Sequence, residues 1–150
     1  MQTTLVILKP DALQRGLAGC ILGRLEDKGL QVIGAKMIKI SQELAARHYQ
    51  EHLGKPFYPS LVEFMTHSPV LVLAVYGKQA IEVVREMIGS TTGYEAQPGT
   101  VRGDFGSSKT FNLVHASDGQ ASAKREIELF FEAQELHPYT HQIDKWVLDQ

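Results

Sequence analysis

Phe111-Asn112-Leu113-Val114-His115, followed at once by Ala116-Ser117-Asp118-Gly119, is the stretch on which the fold turns. Phe111 to His115 has the composition of a strand, and the next four residues form a turn cluster that must end it. Asn112 and His115 therefore stand at i and i+3 on one short strand, close to its end, where reactive side chains are commonly displayed. Downstream, Ser122 is placed to cap a last helix carrying Ile127, Phe130 and Phe131, and the remainder from Glu132 to Gln150 reads as an irregular tail anchored by Trp146.

Upstream, the same alternation of strand and helix repeats. Thr4 to Leu8 is a β-branched and aliphatic run closed by Lys9-Pro10-Asp11. Leu17, Ile21, Leu22 and Leu25 then recur at helical spacing up to Gly29. Leu30 to Ile40 reads as a second strand. Ser41 caps a helix reaching about Leu53, which Gly54 and Pro56 break. Pro59 begins a short helix with Leu61, Val62 and Met65, ended by Pro69. Val70 to Tyr76 is the most strand-like run of all, and Gln79 to Ile88 is helical, with Ile81, Val84 and Ile88 on one face. Gly89 to Gly99 is a long polar loop, and loops of that length in a compact domain are usually functional or disordered. The order β-α-β-α-β-α-β suits either a split βαβ sheet or a small parallel one, and pattern alone leaves both open.

A chain of 150 residues has room for one domain, expected to span 1–150. The net charge of −2 and scattered Lys and Arg argue against a nucleic-acid partner, so the cations should serve small anions such as phosphates. The single cysteine, Cys20, cannot close an intramolecular disulfide. It lies in an apolar-periodic segment, where packing is the expected role. Met1 to Thr4 lack the features of a secretory signal, and the longest purely apolar run, Val70 to Val75, is far short of the roughly 20 residues a bilayer demands. The expectation is a cytoplasmic protein with no membrane partner.

Two motifs fail on inspection. His48-Tyr49-Gln50-Glu51-His52 fits the H-x-x-E-H pattern of a zinc site, but such a site needs a third ligand and an open position. The simpler reading of the two histidines is a surface or packing role. Gly106-Ser107-Ser108-Lys109-Thr110 glances at a phosphate-cradling loop, yet the motif requires glycine where Ser108 stands. Phosphates would have to be held by side chains. Isolated cations in or near turns then draw attention: Lys9, Arg85 and Arg102, with Asn112 and His115 on the last strand. Each cation taken singly reads as a solvated charge.

Taken together these segments resemble nucleoside diphosphate kinase over nearly the whole chain, from about Thr3 to Trp146. The resemblance rests on Ile7-Leu8-Lys9-Pro10-Asp11, Gln14-Arg15-Gly16-Leu17, His48-Tyr49, Pro56-Phe57-Tyr58, Pro98 to Phe105 and above all Asn112 to Asp118, at constant relative spacing. It implies an α+β, ferredoxin-like (βαββαβ) fold: a four-stranded antiparallel sheet flanked by helices. It also implies ping-pong transfer of a γ-phosphate from an NTP, mainly ATP, to an NDP through a phosphohistidine, with broad tolerance of base and of ribose or deoxyribose. His115 matches the nucleophile, and Glu126, assisted by Ser117, matches the carboxylate holding its other ring nitrogen. Lys9, Tyr49, Arg85, Thr91 and Arg102 match phosphate-binding groups, Asn112 and Lys9 match contacts to the ribose hydroxyls, and Phe57 matches the base-stacking ring, with core packing as its alternative. Mg²⁺ is implied as the cofactor, carried by phosphate and water oxygens rather than by a protein metal site. A homo-oligomer is implied, with a hexamer favoured over a tetramer from the length of the tail.

The sequence departs from the family pattern twice. Ala116 stands where glycine is usual, which matters only if that backbone needs a positive φ or the methyl crowds the site. Thr91-Thr92-Gly93 replaces the usual Thr-Asn-Pro, and glycine in place of proline is expected to loosen that loop.

Overall fold

The computed structural model describes residues 1–148. Four strands, β1 (Gln2–Leu8), β2 (Gln31–Ile38), β3 (Val70–Gly77) and β4 (Val114–Ala116), form one sheet in the order β2-β3-β1-β4. Every neighbouring pair is antiparallel. β1 and β2 are thus separated by β3, and β3 and β4 by β1, which is the split βαβ arrangement and excludes the parallel sheet that pattern alone permitted. The sheet is α+β and ferredoxin-like. α1 (Pro10–Gln14) and α2 (Ala18–Asp27) connect β1 to β2. α3 (Gln42–His48) and α4 (Tyr58–His67) lead to β3, and α5 (Ala80–Ile88) and α6 (Val101–Phe105) lead to β4. α7 (Gln120–Phe130) follows β4, and a single turn, α8 (Asp144–Val147), lies near the end.

The central strands are apolar at almost every position because both faces of the sheet are covered. Val6, Leu8, Leu73, Val75, Val114 and Ala116 pack on one side with Ile21, Leu25, Val84 and Ile88. Leu5, Ile7, Val70, Val72 and Ala74 pack on the other with Met65, Ala45 and Phe130. Side chains alternate along a strand, so His115, between Val114 and Ala116 and in register with Ile7, falls on the second face. That face is where α3, α4 and α7 meet.

Several boundaries differ from the sequence reading, each for a local reason. The last strand joins the ladder only from Val114, because Leu113 adopts a φ of 74°, outside the strand region. The helix from Ser41 stops at His48 and gives way to a tighter turn over Gln50–His52; Ser41 does cap it, its Oγ accepting the Leu44 N–H at 3.1 Å. Ser122 is not the cap of α7. Gly119 holds that position, and Ser122 reaches back to accept the Gly119 N–H at 3.0 Å. Cys20 is exposed rather than packed, since Ile21 and Leu25 form the buried stripe of α2 and Cys20 points away from it. Trp146 does not anchor the tail: it is 81% exposed. The tail is held earlier, where the His137 N–H bonds the Ile33 carbonyl at 2.6 Å and Leu136 packs beside Gly34.

The loop that carries the second departure is held at one point. Gly93 is buried and its amide bonds the Ser108 carbonyl at 3.1 Å, so the loop is pinned there. A Cβ on Gly93 would lie 2.5 Å from the carbonyl carbon of Gly106, a backbone atom that no rotamer change can move aside. Glycine here permits two backbones to touch. Gly93→Ala should therefore lower stability by about 1–3 kcal/mol, read as a fall in the urea midpoint at unchanged m-value; an unchanged midpoint would mean that the loop is as loose as its composition suggested.

Candidate active site

The approach to His115 is set by Leu113. A bulky residue at positive φ is strained by roughly 1–3 kcal/mol and persists only where its surroundings fix it. Here its N–H is bonded by the Asp11 carboxylate at 3.1 Å, its carbonyl accepts the Lys9 N–H at 2.8 Å, and its side chain is fully buried. The turn after β1 and the strand bearing the histidine are thus locked to each other. Sequence reading took Asp11 merely as part of a closing turn; its structural signal is this bond. Ala116 lies in β4 with no positive φ, and its methyl is packed in the core, so the alanine departure is accommodated.

Behind His115 stands Glu126 on α7, 4% exposed. Its Oε2 accepts the His115 Nε2–H at 3.0 Å and the Ser117 hydroxyl at 2.6 Å. Ser117 Oγ in turn accepts the Leu5 N–H at 3.2 Å, which ties the group to β1. Burial by itself would raise the Glu126 carboxyl, but the hydrogen bond and charge of His115 and the Ser117 hydroxyl outweigh it and bring it down to about 2. An ionised Glu126 can only accept, so Nε2 carries the proton in this bond and Nδ1 is the nitrogen that Glu126 does not engage. His115 faces a cavity of about 530 Å³.

The cations sit in the same cavity. The Lys9 ammonium, 8% exposed, donates to Asn112 Oδ1 at 2.7 Å. Desolvation, with the Arg102 charge adding to it and Asp11 opposing, lowers it to about 8. Asn112 is held by its own amide, which donates to the Thr91 and Lys109 carbonyls at 2.9 Å each. Arg102 donates to the carbonyls of Asn112, Gly89 and Val114 at 3.1, 2.9 and 2.6 Å, so it staples the loop to β4 and keeps only its remaining guanidinium protons for an anion. Burial and the nearby Arg85 lower it to about 10, still a cation at neutral pH. Arg85, more exposed, also lines the cavity, at 3.5 Å from the Ala116 carbonyl.

The remaining residues named from sequence also line this space: Tyr49, Phe57 and Thr91. The Tyr49 hydroxyl is buried without a hydrogen-bond partner, and desolvation raises it, so the phenol stays a neutral donor. Phe57 is 48% exposed, which sets aside core packing as its role. Its ring meets His52 edge-on at 5.3 Å, with the Lys55 ammonium 5.8 Å from its centroid. Ser117 supports from behind. Of the surface and packing roles expected for His48, the structure shows packing: it is 4% exposed and lies edge-to-face on His115 at 4.7 Å. Burial and the neighbouring His115 lower His48 to about 3, so it is neutral.

The family profile of nucleoside diphosphate kinase matches residues 2–136. The chain belongs to the nucleoside diphosphate kinase family. It is 52% identical to the nucleoside diphosphate kinase of Rhodopirellula baltica over 140 residues, covering 93% of this chain and 92% of that one. With that of Pyrococcus furiosus it shares 49% over 147 residues, 96% and 91% of the two chains. A halophilic nucleoside diphosphate kinase from Halobacterium salinarum, solved in complex with CDP, superposes with a TM-score of 0.97 at 43% identity and 99% coverage of both chains. The family makes this chain an enzyme, a kinase that acts on nucleotides.

Chemically the cavity combines an imidazole with one nitrogen tied to a carboxylate, a floor of buried cations, and an exposed ring at its mouth. A group whose carboxyl is depressed on folding contributes stability that is complete above its unfolded value, near 4.5, and is lost as pH falls toward 2. Glu126→Gln should accordingly be less stable than the parent at pH 7, with the gap narrowing steadily from about pH 4.5 downward. A gap that is constant with pH would show that the charge of Glu126 is not what the fold uses.

Proposed function

We propose that the chain transfers the γ-phosphate of an NTP, mainly ATP, to an NDP by a ping-pong route through His115. The observation that carries this reading is the His115 Nε2–H bonded to Glu126 at 3.0 Å while the ring faces the cation-lined cavity. In the first half, the Nδ1 lone pair forms a bond to the γ-phosphorus. The bond from phosphorus to the bridging oxygen breaks, and its electron pair leaves on the NDP. Glu126 stabilises the ring as it gains positive character. In the second half an oxygen of the acceptor's terminal phosphate attacks, the N–P bond breaks, and its electrons return to Nδ1.

The transition state is loose and anionic, so fixed positive charge matters more than any further chemistry. Lys9, Arg85 and Arg102 supply it, with Tyr49 and Thr91 as hydroxyl donors. To Lys9 and Asn112, joined to each other by a 2.7 Å hydrogen bond, we assign the contacts to the ribose hydroxyls. Phe57, half exposed at the mouth, offers a stacking face, and since every base has a π-face this favours broad base tolerance. The carboxylates at the cavity are few and Glu126 is already engaged, which fits a Mg²⁺ held chiefly by phosphate and water oxygens; when bound it neutralises charge on the phosphates. We also assign a cytoplasmic location and a homo-oligomer, hexameric rather than tetrameric, with no nucleic-acid or membrane partner. Among the described residues no helix is long and apolar enough to cross a membrane.

Single-turnover labelling with γ-labelled ATP and Mg²⁺, without acceptor, should place acid-labile, base-stable phosphate on the chain, and a GDP chase should remove it as GTP. His115→Ala should take no label while still binding nucleotide; label at wild-type level in that variant would move the nucleophile elsewhere. Lys9 is charged below about pH 8 and neutral above it in the free protein. KM for the NDP should therefore rise as pH passes upward through that value, and Lys9→Met should remove that inflection. An inflection that survives in the variant would assign it to another group.

A further inference from the structure

His48 has no part in the transfer just described, yet it is buried and neutral, and neither of its ring nitrogens has a hydrogen-bond partner among the described residues. A buried imidazole with an idle lone pair is unusual, because an unmet buried polar atom is costly. It stands edge-to-face against His115, which bonds Glu126. One potential ligand atom from each of His48, His115 and Glu126 lies within 4.8 Å of the others. Two imidazoles and a carboxylate that all line the cavity form a three-ligand set of the kind that holds zinc. We propose that this cluster is an inhibitory site for a zinc-like divalent transition metal, one that competes with phosphorylation of His115.

The choice of ion follows from the donors. Imidazole nitrogens suit zinc and its neighbours, whereas Mg²⁺ prefers oxygen ligands and retained water. Bonds of about 2.0–2.2 Å require the widest pair of donors to draw together, which a turn of the Glu126 carboxylate or the His48 ring can supply. The inhibition follows from occupancy of the His115 ring, and it rests on the reading of His115 as nucleophile. If the ion takes Nδ1 of His115, the attacking lone pair is occupied. If it takes Nε2, the ring proton that Glu126 now holds moves to Nδ1, and the attacking position again has no lone pair. The H-x-x-E-H pattern of the sequence thus contains one real ligand, His48, while His52 turns away to Tyr49 and Phe57.

The test uses the full chain without nucleotide, labelled with ¹⁵N in its imidazoles, and titrates Zn²⁺ alone. The ring nitrogens of His48 and His115 should shift together and saturate at one equivalent. Loss of a group one shell beyond a metal already costs about 10–100-fold in affinity, so His48→Gln should weaken Zn²⁺ binding by at least that much. Enzyme preincubated with Zn²⁺ should take label from Mg·ATP more slowly, in wild type but not in His48→Gln relative to that variant's own zinc-free rate. Shifts confined to His52, His67, His137 or His141 would overturn the proposal, even if His48→Gln failed to fold. Joint shifts with no phosphoenzyme ever formed would keep the metal site and discard the transfer mechanism, so the two failures are separable.

Discussion

A carboxylate buried to 4% exposure is tolerable only where hydrogen-bond donors replace the water it has lost, and Glu126 on α7 is the group around which that demand is met. It takes its donors from His115 on β4 and from Ser117 in the following turn, and Ser117 is bonded onward to β1. One anion thereby fixes the position of a helix, an edge strand of only three residues and a central strand. The same bonds decide which nitrogen of His115 is engaged by the carboxylate. On the proposed mechanism, fold and reactivity depend on one set of contacts.

The second constraint is the strained backbone at Leu113. Its positive φ turns the chain so that Asn112 points back to Lys9 while His115 faces the cavity. Asp11 and Lys9 hold the two ends of that residue from the turn after β1. Arg102 adds bonds to the carbonyls on either side of it, at Asn112 and Val114. The cations that suit phosphate binding are therefore also parts of the scaffold. Replacing one would alter position as well as charge.

Much of this was legible beforehand. The strands and most helices followed from apolar periodicity, and Lys9, Arg102, Asn112 and His115 stood out as polar groups near strand ends and turns. Sheet order was not legible, because Thr4–Leu8 and Val70–Tyr76 are apolar on both faces and read alike in parallel and antiparallel sheets. Leu113 was also hidden, since nothing in its side chain announces a positive φ; tertiary bonds impose it. The close approach of Gly93 to Gly106 was not legible either, because it is a long-range contact that local composition does not carry. His48 was discounted within a metal-like motif, and its neighbour His115 lies far along the chain, joined only by the fold.

In the proposed mechanism Glu126 holds Nε2 of His115 and so leaves Nδ1 to react. The direct measurement is the site of phosphorylation on the ring, read from ³¹P–¹⁵N coupling in imidazole-labelled protein trapped after one turnover with ATP. Phosphorus bonded to Nδ1 of His115 is the predicted result. Phosphorus on Nε2, or a folded, ATP-binding chain that carries none, would contradict it.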